Sequence, residues 1–248
     1  ISKIVSVTPA GRRRYLEILI PYLLKNRSII HKHIFWINTI NSDDIRFIEN
    51  VCDEYPEFFS CQYSEISIDG NNSIYHFFKK CQDPETIYIR LDDDICYIED
   101  NAVKNLVDFR MSNPNYFLIM GNIINNSICS YLFQRIGALP LCLGEIKYKC
   151  MCDVGWKDCN VAIDIHSIFI KDVKNNDIDK YFYRNWILKN YERFSINCIC
   201  WFGKDFSEFD GEVGLVDYSP NRLEEEAWLT EYMPAKIGRP NCICGESL

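Results

Sequence analysis

Along the first half of the chain, hydrophobic positions fall into two alternating periods. Short runs rich in β-branched and aromatic residues read as strands at 3–8, 33–37, within 58–68, at 86–91 and at 116–120. Between them, apolar residues recur at helical spacing at 14–25, 43–55 and 100–111. Pro21 interrupts the first helical segment. Ser42 has the chemistry to cap the second, and Asn71 or Asn72 to cap a short helix through Lys80. Pro9-Ala10-Gly11-Arg12 reads as the turn after the first strand. This alternation over residues 1–120 predicts an α/β fold: a Rossmann-like, mostly parallel central sheet flanked by helices. In such sheets ligands sit beyond the carboxyl ends of the strands.

Residues 121–248 are less regular. The stretch 147–160 is Cys-rich and loop-like, and 163–184 is helical in part. Residues 194–202 alternate as a strand would, 203–220 read as loop, and 224–232 as a short acidic helix. No repeat and no Pro/Ser/Gly-rich linker divides the chain, which predicts one domain over 1–248. Neither a run of about 18 apolar residues nor a signal peptide is visible. The chain opens at Ile1 directly on a strand-like run, as a domain excised from a longer protein would, and an anchor or targeting segment could then lie outside it.

A formal net charge of −8 argues against a general nucleic-acid surface, although a local basic patch could hold a diphosphate. Cysteines number 13, an odd count in a chain too large to need disulfide staples. They read as reduced thiols of a cytosol-like compartment. Cys198/Cys200, Cys242/Cys244 and Cys150/Cys152 are spaced to put both thiols on one face of a strand, a core arrangement. A zinc site from Cys150, Cys152 and Cys159 lacks a His at finger spacing. Aromatics at 14% suit both a core and sugar binding, with Trp156, Trp201, Tyr218 and Trp228 as stacking candidates. Abundant Ile, Asn and Lys hint at an AT-rich microbial or viral genome, so the cytoplasm expected from the reduced cysteines would be a host cytoplasm if the protein is viral.

The strongest chemical signal is Ile87-Tyr88-Ile89-Arg90-Leu91-Asp92-Asp93-Asp94. A buried strand delivers three carboxylates at its end, where their repulsion calls for a cation. Hard oxygen ligands select Mg²⁺ or Mn²⁺, which in turn bridge phosphate oxygens. If strand geometry persisted, Asp92 and Asp94 would point the same way. The competing role is a solvated acidic turn.

This arrangement resembles the GT-A glycosyltransferases, whose D-x-D follows a central strand about a hundred residues into the domain. Ile4-Val5-Ser6-Val7-Thr8-Pro9-Ala10-Gly11-Arg12 is similar to the family's first strand and nucleotide-contacting turn. Glu224-Glu225-Glu226-Ala227-Trp228-Leu229 is similar to the acidic motif that carries the base in inverting members, and 194–209 to the acceptor-lining strand and loop before it. The resemblance implies a GT-A-like single domain, with a nucleotide-sugar-binding half (1–120) and an acceptor-binding half (121–248). It implies Asp94 as the direct metal ligand, and Asp92 as a ligand to the ribose or, through water, to the metal, with Asp93 between them. Thr8, Pro9, Ala10, Arg12 and Asn38 would meet the nucleotide. Glu226 would be the base, with Glu225 as the fallback.

The implied activity is metal-dependent transfer of a sugar, with inversion, from a nucleoside-diphosphate donor, UDP- or GDP-linked, to a hydroxyl acceptor on a glycan. Two departures stand out. Asn38 and Thr39 occupy the place where many members read the base with an acidic residue. No His follows His166, where many members supply a late metal ligand. His166 reads as structural, and His76 as a residue that could face the donor. A sugar-phosphate nucleotidyltransferase is the alternative enzyme, although its Gly-rich opening loop is reduced here to the single Gly11. A catalytically inactive sugar- or protein-binding module is the alternative outside catalysis. Donor turnover separates the three.

Overall fold

The computed structural model describes residues 1–248 apart from Cys152, Tyr218 and Pro220. Strands β1 (Lys3–Ala10), β2 (Lys32–Ile37), β3 (Phe59–Tyr63) and β4 (Thr86–Leu91) alternate with helices α1 (Arg13–Lys25) and α2 (Ser42–Glu54) and a 3-10 helix at Gly70–Lys80. Helix α3 (Ala102–Ser112), β5 (Ile119–Met120), α4 (Ser127–Arg135), α5 (Asp153–Lys157) and α6 (Cys159–Lys174) follow. Next come β6 (Trp186–Leu188), β7 (Cys198–Phe202), α7 (Gly203–Ser207) and α8 (Glu225–Ala227). A π-helical turn at Trp228–Tyr232, α9 (Met233–Ile237) and β8 (Asn241–Ile243) complete the chain.

All eight strands form one sheet in the order β3-β2-β1-β4-β7-β5-β8-β6. The pairs β3–β2, β2–β1, β1–β4 and β5–β8 are parallel, whereas β7 and β6 run antiparallel to their neighbours. The GT-A-like α/β class expected from the sequence is thus the class found. Among the described residues, no helix is long and apolar enough to cross a membrane.

Alternation along the strands divides the core into two layers. Ala10, Phe35, Ile87, Ile89, Leu91, Cys198, Cys200 and Cys242 face α1, α2 and α3. Val7, Trp36, Tyr88, Ile199, Trp201, Met120 and Ile243 face the other way, onto Phe77, Phe78, Phe206, Trp228 and Leu229. The C-x-C pairs of β7 and of β8 with its exit, Cys198/Cys200 and Cys242/Cys244, put both thiols in the first layer as their spacing requires. Every described cysteine is free. Cys152, of the third pair, lies outside the described residues.

Several boundaries differ from the sequence reading, each for a local reason. Strand β1 runs on through Pro9 and Ala10, so the turn begins at Gly11. Pairing with β4 stops at Val7 while pairing with β2 reaches Ala10, and Pro9 sits where a strand has one neighbour and a missing N–H is tolerated. Asn41, not Ser42, caps α2, its side chain accepting from the Asp43 and Asp44 amides. Neither Asn71 nor Asn72 caps the 3-10 helix, which starts at Gly70 and is held by buried Ile74, Phe77 and Phe78. Strand β5 is only two residues long. The Phe117 and Leu118 amides bond instead to the Pro240 carbonyl (3.1 Å) and the Asn241 side chain (3.0 Å).

In the first layer, Ser6 Oγ and His33 Nδ1 lie 2.7 Å apart with both residues fully buried. Burial pushes the imidazole down to about 3. The unfolded chain takes up a proton near pH 6.5 that the folded chain excludes until about pH 3, so His33 erodes stability as the pH falls through that window. The melting temperature is expected to fall from pH 6.5 downwards, and His33→Gln to flatten that part of the profile. An unchanged slope in the variant would show that other groups set it.

Candidate active site

At the end of β4 the Asp92 amide bonds to the Asn197 carbonyl at 2.8 Å, and the chain then turns. Strand geometry stops at Leu91, and the three carboxylates splay. Asp93, 4% exposed, accepts from the Gly11 and Arg12 amides (3.1 and 3.0 Å) and from Arg12 Nε (2.9 Å). It therefore fastens the β1–α1 turn to the end of β4. Gly11 suits this junction, because a Cβ there would stand 3.0 Å from Thr39 Cβ and 3.3 Å from the Asn38 carbonyl oxygen. Arg12 also reaches Asp94 at 3.0 Å. Partial burial opposes its charge, but hydrogen bonding and attraction from Asp93 and then Asp94 outweigh that and raise its pKa.

Asp92 turns instead towards Arg90, a guanidinium 4% exposed inside a strand that is buried throughout. Arg90 Nη2 donates to Asp92 Oδ1 at 3.0 Å, and Nη1 bonds to Glu225 Oε1. Asn197 donates to the other Asp92 oxygen at 3.0 Å. One buried cation thereby joins the acidic end of β4 to the acidic cluster at Glu225, 135 residues beyond Arg90. Burial raises both the Asp92 and the Glu225 carboxyls above the usual range, against the pull of Arg90. Arg90 Nε and Glu225 Oε2 are buried with no hydrogen-bond partner.

Glu226 points to a second guanidinium. Arg193 Nε donates to Glu226 at 2.7 Å, and Arg193 Nη2 bonds to Glu224 at 2.5 Å. The Cys150 thiol lies 3.9 Å from Glu226 Oε1. Burial raises the Glu226 carboxyl, and Arg193 draws it part of the way back.

Asp92, Asp93, Asp94, Arg12, Glu225 and Glu226 thus fall into three arginine-centred groups around the carboxyl end of β4: Arg12 with Asp93 and Asp94, Arg90 with Asp92 and Glu225, and Arg193 with Glu226. Other sequence candidates contribute no side chain to these ion pairs. Thr8, Pro9 and Ala10 are buried strand residues, so none exposes a side chain to a nucleotide. Asn38 bonds the Gly70 carbonyl (3.0 Å) and the Ser73 hydroxyl (2.9 Å), holding the 3-10 helix against β2. His76, near-buried, bonds the Ser73 carbonyl and accepts from the Glu65 amide at 3.2 Å. His166 lies exposed on α6, bonded to the Ala162 carbonyl.

Trp201 and Trp228 are 0% and 2% exposed, with their N–H groups on the Cys81 and Leu215 carbonyls, so they fill the core and cannot stack on a sugar. Trp156 is exposed, and Tyr218 lies outside the described residues.

Arg90, Arg193 and Asn197 went unrecognised. A signal existed for Arg90: an arginine inside an otherwise mostly apolar strand must have a buried partner. Arg193 sits in irregular chain with no periodicity to mark it, and Asn197 falls within the alternating run 194–202, where a polar residue reads only as a strand position facing away from the core.

The carboxylates bear on the expected cation. Among the described residues, no group of three or more His, Cys, Asp or Glu side chains converges as a ready cage. Mg²⁺ and Mn²⁺ do not require one, since such ions are held by one or two carboxylates, waters and substrate phosphates. Asp94, with 42% of its side chain exposed and Arg12 on Oδ2, fits that role. Asp92 has both oxygens engaged, by Arg90 and Asn197.

Compared with solved structures, the chain matches a mannosyltransferase from Pyrobaculum calidifontis, solved with GDP-Man and Mn²⁺. The match has a TM-score of 0.53 and 7% identity, and covers 97% of this chain and 55% of that one. A 4-diphosphocytidyl-2C-methyl-D-erythritol synthase from Anaerococcus prevotii matches with a TM-score of 0.36 and 16% identity over 48% of this chain and 54% of that one. The chain therefore spans about half the length of these proteins. No family model and no curated protein sequence matches it. At 7% identity, the likeness to the mannosyltransferase is one of fold.

Removing one partner from a buried ion network costs about 3–5 kcal/mol. Arg90→Met is expected to destabilise the protein by that order in urea unfolding. Combining it with Glu225→Leu should restore on the order of 1 kcal/mol or more, because one orphaned charge is gone. Strict additivity of the two substitutions would contradict the coupling.

Proposed function

We propose that the protein transfers a sugar from a nucleoside-diphosphate donor, UDP- or GDP-linked, to a hydroxyl of a glycan acceptor, with inversion. The observation that carries this reading is the Arg90 bridge. It brings the carboxylates at the carboxyl end of β4, where ligands of such sheets bind, beside a second carboxylate cluster from the other half of the chain. A donor half over 1–120 and an acceptor half over 121–248 would meet there. The shared fold with a mannosyltransferase solved with GDP-Man and Mn²⁺ supports the same reading.

In this mechanism Arg12, held between Asp93 and Asp94, faces the donor phosphates. A divalent cation, when bound, would neutralise charge gathering on the diphosphate leaving group, and Asp94 is the residue to hold it. Glu226 takes the proton of the acceptor hydroxyl as that oxygen bonds to the anomeric carbon and the bond to the diphosphate breaks. One base opposite the leaving group inverts the anomeric centre. Arg193 orients Glu226 and favours its ionised form against the effect of burial. Asp92 and Glu225, locked on Arg90, position the two segments.

The test is turnover of UDP- and GDP-sugars with Mn²⁺ and with chelator. Release of nucleoside diphosphate that depends on the metal supports transfer. Turnover only of nucleoside triphosphates, with pyrophosphate released, would mark a nucleotidyltransferase instead. Glu226→Gln is expected to retain donor binding while lowering turnover about 10²–10⁴-fold. Wild-type turnover in this variant would remove Glu226 from the base role.

The pH profile gives a second check. The base must be ionised, so kcat/KM should rise with pH through a Glu226 pKa lying above its ordinary 4.5. Arg193→Met removes a cation that lowers this pKa and should move the rising limb to higher pH. A shift to lower pH would contradict the pairing.

A further inference from the structure

The row of paired residues that starts at Arg90 continues across the sheet. Arg90 faces Ile199, Ile199 faces Met120, Met120 faces Ile243, and Ile243 faces Trp186. Directly paired residues point to the same side of a sheet, and Ile199, Met120 and Ile243 are all buried in the layer that holds Trp228 and Leu229. Trp186 therefore stands on the side of the sheet from which Arg90 reaches Glu225. It lies four strand spacings away, about 19 Å.

Trp186 opens β6, at the edge of the sheet, and is 39% exposed, unlike fully buried Trp36 in β2. Its ring is fixed. The indole N–H donates to Tyr148 Oη at 2.8 Å, and the two rings meet edge to face at 5.9 Å and 61°. Tyr148 is braced in turn by Tyr131, with centroids 5.3 Å apart. Because the protein already satisfies the N–H, the indole presents its apolar ring to solvent. Four residues along the chain from Trp186, Asn190 donates two hydrogen bonds to the Glu192 carboxylate, at 3.4 and 3.3 Å.

Tyr148 also leads to the candidate base. Two residues on, the Cys150 thiol lies 3.9 Å from Glu226 Oε1. Two residues of chain span at most about 7 Å, so one short segment joins the aromatic corner to Glu226.

We propose that Trp186, held by Tyr148, is a distal acceptor subsite that stacks on a pyranose ring of an oligosaccharide whose reacting end lies at Glu226. This rests on the reading of Glu226 as the acceptor side of the site. A sugar has an apolar C–H face and a polar rim. The first matches the negative face of the indole, and the second stays in water at this exposed position. A protein partner would need a buried area of about 1,000 Å² or more, far beyond one ring.

The subsite can be tested without the transfer reaction. The chain has five tryptophans, so its indole N–H signals can be followed by nuclear magnetic resonance, with that of Trp186 assigned by its loss in Trp186→Phe. The probes are mono- to hexasaccharides of glucose, mannose, galactose and N-acetylglucosamine, without donor. At least one series should move the Trp186 signal, and its longer members should do so at lower concentration than the monosaccharide. For that oligosaccharide, Trp186→Ala should weaken binding tenfold or more. Tyr148→Phe, which keeps the ring and removes only the brace, should weaken it severalfold.

The proposal is overturned if no sugar moves the Trp186 signal, or if Trp186→Ala binds as tightly as the parent. It is overturned equally if the signal responds only to protein concentration, which would mean that a second copy covers the ring. Donor binding, measured on the same sample, separates the two readings. Donor binding with a silent Trp186 sinks the subsite alone, whereas a responsive Trp186 with no binding of any nucleotide sugar sinks the glycosyltransferase reading.

Discussion

A guanidinium inside a fully buried strand has to be neutralised where it stands, and the site is organised around how Arg90 meets that requirement. Two carboxylates answer it, Asp92 from the end of its own strand and Glu225 from the other half of the chain. Taking such groups out of water costs several kcal/mol per ion, and their mutual attraction offsets that only with close geometry. The network is thus a poor source of stability and a strong constraint on position. If α8 slid along the sheet, Glu225 would lose its counter-charge and Arg90 Nη1 its acceptor. Glu226, the next residue, inherits that fixed position, and Arg193 then sets its orientation.

The sheet supplies the frame. Its parallel half places the ends of β1 and β4 side by side, which lets Asp93 reach the Gly11 and Arg12 amides and close the β1–α1 turn. Antiparallel β7 then brings Asn197 back to the same edge, where it holds the second oxygen of Asp92. Of the three consecutive aspartates, one fastens the turn, one is locked to Arg90, and Asp94 pairs with Arg12 while staying partly open to solvent. Identical side chains in sequence therefore have unequal tasks, decided by which partner each meets once the strand ends at Leu91.

Much of the fold could be read from periodicity. Residues 86–91 form a strand at those very bounds, and the alternation over 1–120 gave the parallel half of the sheet. Short elements escaped. Strands β6 and β8 have three residues each, too few to show a period, and β5 lost its first residues to bonds with the Asn241 side chain and the Pro240 carbonyl. In the site, the two acidic clusters were visible as composition, but the arginines that join them were not, because pairing across 135 residues leaves no local trace. Trp201 and Trp228 show the same limit from the other side. Their chemistry suited stacking, but burial, which a single sequence does not display, assigns them to the core. Trp186, at a sheet edge, is the one braced at the surface.

The most direct test is a crystal structure of the protein with Mn²⁺ and, in turn, GDP and UDP. The expected result is an anomalous Mn²⁺ signal beside the Asp94 carboxylate, with the diphosphate between it and Arg12 and the far side of the site opening towards Glu226. Mn²⁺ bound away from Asp94, or a diphosphate bound elsewhere on the molecule, would contradict the proposal that the end of β4 and the Glu225–Glu226 segment form one nucleotide-sugar site.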